Sequence, residues 1–328
     1  MDDHVEGVLA GDRTILARTI TLVESNSRAH MDMAQEVLKR ILPHTGNSIR
    51  IGVTGVPGVG KSTFIEALGG DLLEKGKKVA VLAIDPSSTR TGGSILGDKT
   101  RMEDLARDTR CFIRPSPTGG TLGGVARKTR ETMLVCEAAG FDVVIIETVG
   151  VGQSEISVRS MVDFFLLLMI AGAGDELQGI KRGVVEMADA LVINKADGDN
   201  KRRAQLARSE YERAIHYLMP ATEGWRTRAY TCSSLAHEGV EEIWEVVQSF
   251  MENIGSSGVF ERRRSMQSLG WMHAMLEEHV VDKFINDPNV SAALAEVELK
   301  VSSGVLPATS AVAELIALYE AGKQRGDP

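Results

Sequence analysis

The residues with the clearest chemical potential form a glycine-rich segment, Gly55-Val-Pro-Gly-Val-Gly-Lys-Ser-Thr63. An apolar run precedes it and a helical pattern follows it, which is the context of a phosphate-binding loop rather than of an ordinary glycine-rich turn. Glycines let backbone N–H groups turn inward around an anion, and the dipole of the next helix adds attraction. Lys61 would reach the β- and γ-phosphates, and the Ser62 hydroxyl would bind Mg²⁺. The residues assigned to the nucleotide here are Gly55, Val56, Pro57, Gly58, Val59, Gly60, Lys61, Ser62 and Thr63.

A second polar group, Asn194-Lys-Ala-Asp197, directly follows the apolar run at 190–193. The Asp197 carboxylate would accept hydrogen bonds from the N1–H and the exocyclic amine of guanine, which adenine cannot offer. The stem of Lys195 would cover the base. Alone, four residues would also fit a surface turn, but behind a phosphate-binding loop they predict GTP or GDP. The next apolar run ends at residues that we expect beside the base, Cys232, Ser233 and Ser234.

Three carboxylates are candidates for the shell of a magnesium ion that Ser62 would also bind: Asp85, Asp98 and Glu147. Glu147 ends a predicted buried strand, where phosphate-loop NTPases polarise the magnesium shell, usually with an aspartate. Carboxylates beside a triphosphate are tolerable only if Mg²⁺ or its waters intervene, because like charges repel. As alternatives, Asp85 would cap a turn and Asp98 would cap the helix expected from about residue 99.

Two glycine-containing segments are predicted to be mobile loops that respond to the nucleotide. Gly150 would let the segment after Glu147 approach the γ-phosphate, whereas Gln153 is poorly placed to orient water because it is not adjacent to Gly150, the first glycine of the segment. Between 172 and 183, glycines bracket charged and polar residues, which indicates a loop that senses the nucleotide state; a solvated surface loop is the alternative. No residue stands out as an arginine finger, so Lys181 or a residue from a partner would complete the site.

The elements that must position these residues alternate between strands and helices. Apolar runs lie at 49–54, 79–84, 142–147, 164–170, 190–194 and 228–232, and helical patterns lie at 61–75, 99–107, 125–139, 179–189, 199–217 and 239–253. This alternation predicts a mostly parallel sheet with helices on both faces, which binds ligands at the carboxyl ends of its strands. The expected fold class is therefore α/β, of the P-loop NTPase type.

Helical segments flank this central region, and we divide the chain into 1–46, 47–255 and 256–328. The N-terminal helices would either cap the core or form an arm that contacts a partner. After a linker or sharp turn at Gly255-Ser-Ser-Gly258, apolar residues recur at helical spacing up to Phe284, and two more helices follow. Because the apolar face is long and rich in methionine, it favours a C-terminal dimerisation arm over packing on its own domain.

Composition argues against several classes of function. A net charge of −8 does not suit binding to a nucleic-acid backbone, which needs a basic surface. The three cysteines lie far apart without metal-ligand spacing, as is typical of a reducing compartment. The N-terminus lacks the apolar segment of a secretory signal, and the apolar stretch at 164–173 is about half as long as a membrane span. We therefore expect a cytoplasmic protein that binds neither nucleic acid nor membrane.

Seven segments, spread over much of the chain, carry a resemblance to a known family. They are Gly55-Val-Pro-Gly-Val-Gly-Lys-Ser62, Asp85-Pro-Ser-Ser88, Thr91-Gly-Gly-Ser-Ile-Leu-Gly-Asp-Lys-Thr-Arg-Met102, Phe112-Ile-Arg-Pro-Ser-Pro117, Leu122-Gly-Gly-Val-Ala126, Glu147-Thr-Val-Gly-Val-Gly-Gln153 and Asn194-Lys-Ala-Asp197. In them the chain resembles the MeaB/ArgK/MMAA family, and bacterial MeaB proteins in particular. These are GTPases that act as chaperones of adenosylcobalamin-dependent methylmalonyl-CoA mutase.

The resemblance implies properties that the residues alone do not show. Members are homodimers joined through C-terminal helices, and they hydrolyse GTP slowly alone and faster with the mutase. Their nucleotide cycle gates cofactor loading and protects the mutase from inactivation. It also implies that Ser62, Asp85, Asp98 and Glu147 surround magnesium and that the loop from Asp175 to Lys181 relays signals to the mutase.

The sequence therefore predicts a GTPase whose loops are ordered by GTP and Mg²⁺ and are read by a partner enzyme. We assign catalytic roles to Lys61, Glu147 and Lys181. A metal-delivery GTPase would need a histidine or cysteine cluster, but the histidines are scattered and there is no Cys-x-x-Cys. A phosphotransferase would use ATP, which the Asn194-to-Asp197 motif disfavours, and a binding module without turnover would not need the magnesium set.

Overall fold

The computed structural model of the chain describes residues 1–25, 27–85, 102–117, 122–148, 154–172 and 182–324. Its strands are β1 (Ile49–Gly55), β2 (Val79–Asp85), β3 (Cys111–Pro117), β4 (Val143–Glu147), β5 (Phe164–Ile170), β6 (Ala190–Asn194) and β7 (Arg228–Thr231). Over the described residues these seven strands form one parallel sheet in the order β3-β2-β4-β1-β5-β6-β7. The predicted α/β class with a parallel sheet is confirmed.

Helices connect the strands and extend the chain at both ends. They are α1 (Asp2–Leu9), α2 (Arg13–Val23), α3 (Arg28–Ile41), α4 (Lys61–Glu74), α5 (Glu103–Arg107), α6 (Leu122–Ala138), α7 (Ser154–Arg159), α8 (Arg182–Met187), α9 (Lys201–Ile215), α10 (Val240–Ser256), α11 (Val259–Ile285), α12 (Pro288–Ser302) and α13 (Ala308–Gln324). Between parallel strands, each connection must return the chain from the carboxyl edge of the sheet to its amino edge. The helices between strands make these returns.

Strand β1 lies inside the sheet and carries the glycine-rich segment at its end. Ile51 is opposite Ile145 of β4 on one side and opposite Phe164 of β5 on the other. All of β1 after its first residue is buried, as expected for a parallel strand that helices cover on both faces. The carboxyl ends of β1, β4, β5 and β6 therefore share one edge, which we call the nucleotide edge, and the predicted ligand-binding residues follow strands there.

The sequence patterns do not predict strand β3. It contains Arg114 and two prolines and so lacks a continuous apolar run. Within the described sheet it occupies an edge, where it pairs with β2 and Val79 is opposite Cys111. Proline cannot donate a ladder hydrogen bond, but an edge strand tolerates it. The position in the sheet, rather than the local pattern, makes this segment a strand.

Helices α1, α2 and α3 form part of the core. Leu16 and Ile20 of α2 and Ile41 of α3 are buried in the same hydrophobic cluster as Ala80 and Leu82 of β2, and both α2 and α3 contact α6. This burial favours the first of the two predicted alternatives, in which the N-terminal helices cap the core.

Contacts divide the chain into two compact units, Met1–Gln267 and Ser268–Pro328. The division falls within α11, which is continuous from Val259 to Ile285. The predicted turn is present as Ser257 and Gly258 between α10 and α11. The three-part division predicted from the sequence stays a prediction.

The second unit is helical. Asp287 caps α12 by accepting a hydrogen bond of 2.9 Å from the backbone N–H of Asn289, and the rings of Phe284 and Tyr319 lie 5.1 Å apart. The predicted apolar face of α11 is exposed, with Leu269, Met272, Leu276 and Val280 at 56%, 51%, 55% and 56%. A homodimer through this face stays a prediction. None of the described helices combines the length and the apolar character that crossing a membrane requires.

Candidate nucleotide-binding site

The glycine-rich segment between β1 and α4 has a backbone that requires glycine. Gly55, Gly58 and Gly60 have φ values of 150°, 78° and 95°, which residues with a side chain rarely adopt. A Cβ atom on Gly55 would lie 2.4 Å from the carbonyl oxygen of Leu168 in β5. A Cβ atom on Gly60 would lie 2.8 Å from Nδ2 of Asn194. The turn thus needs glycine both for its backbone conformation and because neighbouring strands enclose it.

Lys61 begins α4, and its side chain folds back under the loop. The buried Nζ donates hydrogen bonds to the carbonyl oxygens of Gly55, at 2.9 Å, and Val56, at 3.3 Å. These bonds hold the ammonium group at the end of β1. A positive charge fixed beside a loop of backbone N–H groups is suited to bind an anionic phosphate.

Ser62 and Glu147 come together although they lie 85 residues apart in the chain. The Ser62 hydroxyl donates a hydrogen bond of 3.0 Å to Oε1 of Glu147, which closes β4. A hydroxyl and a carboxylate are the hard oxygen ligands that Mg²⁺ takes, so the pair fits the ion that the sequence predicts. Across the described parts of the chain, no group of three or more His, Cys, Asp or Glu residues could hold a metal.

The other predicted magnesium ligands and the third catalytic residue are less completely described. Asp85 ends β2, and since Ala83 is opposite Glu147 in the register, Asp85 lies two residues further along the nucleotide edge. Its side chain, and the whole of Asp98 and Lys181, lie outside the described residues. Their proposed roles stay predictions.

A pair of threonines at the strand ends was missed by the sequence patterns. The Thr148 hydroxyl donates a hydrogen bond of 2.7 Å to the Thr54 hydroxyl, and both residues are buried. The Thr148 N–H also donates to the carbonyl oxygen of Val53 at 3.0 Å. The residue directly after Glu147 is therefore tied to β1. The available signal was a threonine at the end of each of two apolar runs, but the pairing of those runs is not visible in the sequence.

Asn194 links the phosphate loop to the segment after β7. Its Nδ2 donates a hydrogen bond of 2.9 Å to the carbonyl oxygen of Val59. Its Oδ1 accepts hydrogen bonds from the Ser234 N–H, at 3.1 Å, the Ser234 hydroxyl, at 2.8 Å, and the Cys232 thiol, at 3.4 Å. Burial raises the pKa of the Cys232 thiol to about 12, so the thiol keeps its proton and remains a donor at neutral pH. The sequence predicts these residues at the site but not this connection.

Asp197 and Ser233 form a second link on the same edge. The Ser233 hydroxyl donates a short hydrogen bond to Oδ2 of Asp197, and the backbone N–H of Ala196 donates to the carbonyl oxygen of Cys232 at 3.0 Å. Lys195, between Asn194 and Ala196 in the chain, adopts a positive φ of 59°. The carboxylate predicted to recognise guanine is thereby held in one orientation, beside residues that also contact the phosphate loop.

A phosphate loop and a base-recognition segment joined on one edge of a parallel sheet define the class of P-loop GTPases. The family model described as "Methylmalonyl Co-A mutase-associated GTPase MeaB" matches residues 16–289. The chain belongs to this family, so the predicted resemblance and the predicted GTPase class are confirmed.

Similarity to known proteins extends over most of the chain. A putative GTPase of Caulobacter vibrioides is 53% identical over 319 residues, which cover 97% of this chain and 98% of that protein. The mitochondrial methylmalonic aciduria type A homolog of Mus musculus is 44% identical over 316 residues, which cover 93% of this chain and 76% of that protein. A solved structure described as a LAO/AO transport system kinase is 40% identical, with a TM-score of 0.79 and coverage of 97% of both chains.

Proposed function

We propose that the chain is a Mg²⁺-dependent GTPase that acts as a chaperone of adenosylcobalamin-dependent methylmalonyl-CoA mutase. Its nucleotide cycle would gate cofactor loading and protect the mutase through loops that respond to the nucleotide. The family description, a mutase-associated GTPase, supports the choice of partner. The observation that carries the nucleotide part is Asn194, whose buried side chain bonds at once to Val59 of the phosphate loop and to Ser234.

The phosphates would be held by the backbone N–H groups of the loop, by the amino end of α4 and by Lys61. Ser62 and Glu147, with Asp85 and Asp98, would hold Mg²⁺, which supplies charge neutralisation at the phosphates. Lys61 stabilises the charge that develops on the transferred phosphoryl group. Glu147 orients the Ser62 hydroxyl through their 3.0 Å hydrogen bond.

The base would be guanine. Asp197 accepts hydrogen bonds from the two guanine donors, and the Ser233 hydroxyl orients its carboxylate for them. Adenine would leave this charged acceptor unpaired, which opposes ATP. The stem of Lys195 covers the base, while Cys232 and Ser234 act through Asn194.

The output would come from the segments at 85–98, 147–155 and 172–183, which GTP and Mg²⁺ would order and hydrolysis would release. Lys181 or a group brought by the mutase would complete the catalytic site. The exposed apolar face of α11 supports a homodimer, because a monomer rarely leaves such a stripe in water. We assign the protein to the cytoplasm, where its three buried thiols stay reduced.

The test is GTP and ATP hydrolysis by the full-length chain, with and without a purified adenosylcobalamin-dependent mutase. We expect hydrolysis that is selective for GTP, requires Mg²⁺ and is accelerated by the mutase. A mutase without any effect on the rate would remove the proposed partner and leave the GTPase class in place. Equal use of ATP would contradict the role given to Asp197.

A second candidate function is phosphoryl transfer to a protein or small molecule. It is favoured by the similarity to the solved structure whose title names a transport system kinase. The two functions differ in where the γ-phosphate goes. Quantitative recovery of the γ-phosphate as inorganic phosphate supports the chaperone, and a phosphorylated acceptor would support the kinase.

A further inference from the structure

A cluster of buried charges lies at the amino edge of the sheet, opposite the nucleotide edge. Asp163 and Asp189 directly precede β5 and β6, and both are 0% exposed. Each carboxylate accepts a backbone hydrogen bond of 2.9 Å, from the N–H of Arg50 and of Phe165 respectively. These bonds attach each carboxylate to the start of a strand. A buried carboxylate needs a cation beside it. The arginines that pair with Asp163 and Asp189 therefore determine which helices are attached to this edge.

The first turns of α11, residues 259–267, supply two of these arginines, and we call this segment the α11 root. Arg264 forms a bidentate ion pair with Asp163, with Nε–Oδ1 and Nη2–Oδ2 distances of 2.9 and 2.6 Å. Arg263 donates to the carbonyl oxygen of Asp163, and its Nη1 lies 3.9 Å from Oδ2 of Asp189. The root is therefore hydrogen-bonded at the start of β5 and forms a longer ion pair at the start of β6.

Helix α7 ends in the same cluster. Arg159, its last residue, pairs with both oxygens of Asp189 at 3.0 and 3.3 Å. Gln267 of the α11 root donates from Nε2 to the carbonyl oxygens of Val162, at 2.9 Å, and Arg159, at 3.5 Å. Since Asp189 lies shortly after α8, the ends of α7 and α8 are joined to each other and to the root.

Helix α6 contacts the root as well. Arg130 donates from Nη1 to the carbonyl oxygen of Gln267 at 2.9 Å and from Nη2 to the Ser160 hydroxyl at 2.7 Å. Burial lowers the pKa of Arg130 to about 10, so its guanidinium still carries a charge at neutral pH. One arginine thus spans from α6 to the residue after α7 and to the last turn of the root.

The helices in these contacts all return from the nucleotide edge of the sheet. Helices α6, α7 and α8 each come after the carboxyl end of a strand, β3, β4 and β5 respectively, on the edge where β1 enters the phosphate loop. Each then runs back toward the amino edge. The root is therefore hydrogen-bonded to α6 and to the end of α7. It also pairs with Asp189, shortly after the end of α8.

We propose that Arg130, Arg159, Asp189, Arg263 and Gln267, which we call the relay cluster, couple the nucleotide state at one edge of the sheet to the α11 root at the other. The proposal rests on the proposed function, since it needs loops that change with the nucleotide. Buried ion pairs tolerate few geometries, and a close-packed interior does not absorb small shifts. A shift of α7 or α8 is therefore passed to α11, and by thermodynamic linkage a change at the root alters nucleotide affinity.

Hydrogen exchange of the full-length chain measures the coupling. Exchange in peptides that cover 259–267 is compared with saturating GDP and with a slowly hydrolysed GTP analogue. The Arg159→Lys variant keeps the charge but loses the planar fork that holds both oxygens of Asp189. We expect the wild-type root to exchange at different rates with the two nucleotides. In the variant this difference disappears, and the ratio of the two nucleotide affinities changes by about fivefold or more.

The matched control is Arg262→Lys, the same substitution on an exposed arginine that is next to Arg263 in the α11 root. Arg262 has a side chain 58% exposed, and it pairs at 3.0 Å with Glu223, whose side chain is 77% exposed, outside the relay cluster. It should behave as wild type. If thermal unfolding shows that Arg159→Lys does not fold, Gln267→Met removes the hydrogen bonds from the Gln267 side chain to Val162 and Arg159 without changing a charge.

Each outcome decides between the relay and a purely structural cluster. Equal exchange in the wild-type root with both nucleotides overturns the relay. A variant in which both affinities fall by the same factor, or in which neither the exchange difference nor the affinity ratio changes, also overturns it. Hydrolysis is measured in the same samples. If the wild-type chain hydrolyses GTP but its root exchanges at the same rate with both nucleotides, only the relay is contradicted. A chain that neither binds nor hydrolyses GTP contradicts the proposed function.

Discussion

The hydrogen bonds and ion pairs described at the two edges of the sheet differ in kind. At the nucleotide edge, the bonds of Lys61 to two carbonyl oxygens and of Asp197 to the Ser233 hydroxyl join a charge to an uncharged partner. At the amino edge, Arg159 pairs with Asp189 and Arg264 with Asp163, charge against charge, with both carboxylates 0% exposed.

This difference separates an edge that can exchange its partners for a ligand from an edge whose charges are fixed to one another. A charge held by a hydroxyl or a carbonyl group can exchange that partner for a ligand at modest cost, because hydrogen bonds of this kind contribute about 0.5–3 kcal/mol. Breaking a buried ion pair leaves an uncompensated charge and costs about 3–5 kcal/mol. Substitutions at the nucleotide edge should therefore reduce activity with little loss of stability, whereas removal of a charge at the amino edge should first reduce stability.

The largest expected effect is on stability, from Asp189→Ala at the amino edge. Removing this carboxylate leaves Arg159 and Arg263 without their buried partner, so the free energy of unfolding should fall by about 3–5 kcal/mol. Denaturant unfolding measures it. Glu223→Ala, which removes an exposed carboxylate paired with Arg262, should change it by less than about 1 kcal/mol. A similarly small loss for Asp189→Ala would break the contrast between the edges.

Lys61→Ala tests the nucleotide edge. We expect kcat/KM for GTP to fall by about 10²–10³-fold, because the charge on the transferred phosphoryl group loses a fixed cation. Unfolding free energy should fall by less than about 2 kcal/mol. Lys75→Ala is the matched control, because Lys75 is exposed directly after the far end of the same helix and pairs with Glu241. An unfolded Lys61→Ala chain would show that this lysine is structural.

Asp197→Asn should change which base is accepted. The amide cannot accept from both guanine donors with a full charge, so GTP affinity should weaken by about 100-fold. The same amide can donate to the 2-oxo group of xanthine, so affinity for XTP should rise. Fluorescent nucleotide titration measures both, and Asp199→Asn, at an exposed neighbouring residue, is the control. A variant that still prefers GTP would mean that another group recognises the base.

The smallest effect concerns the threonine pair that ties β4 to β1. Thr148→Val leaves the buried Thr54 hydroxyl without its partner and should lower the free energy of unfolding by about 1–3 kcal/mol. Adding Thr54→Val removes the orphaned hydroxyl and should recover part of the loss. A double-mutant cycle by denaturant unfolding measures the coupling. Strictly additive losses would show that the two hydroxyls do not stabilise each other.

The nucleotide edge was largely predictable from the sequence because its residues act in short segments. The phosphate loop and the segment from Asn194 to Asp197 each follow an apolar run directly, so the strand that positions them is visible beside them. Strand β3 was missed because its arginine and two prolines interrupt the apolar pattern of a strand. The edge position in the sheet allows these prolines, since they have no N–H to donate. The hydrogen bond between Thr148 and Thr54 joins residues 94 positions apart.

The amino edge could not be predicted for the same reason. Arg264 bonds to the carbonyl oxygen of Gly46, 218 positions away, and Arg159 meets Asp189 only because β5 and β6 are neighbours in the sheet. The sequence by itself determined the alternation of strands and helices and the local motifs, since these depend on the spacing of nearby residues. Only the tertiary structure decided the strand order, the link through Asn194 and the relay cluster. Those depend on which distant segments the burial of apolar surface brings together.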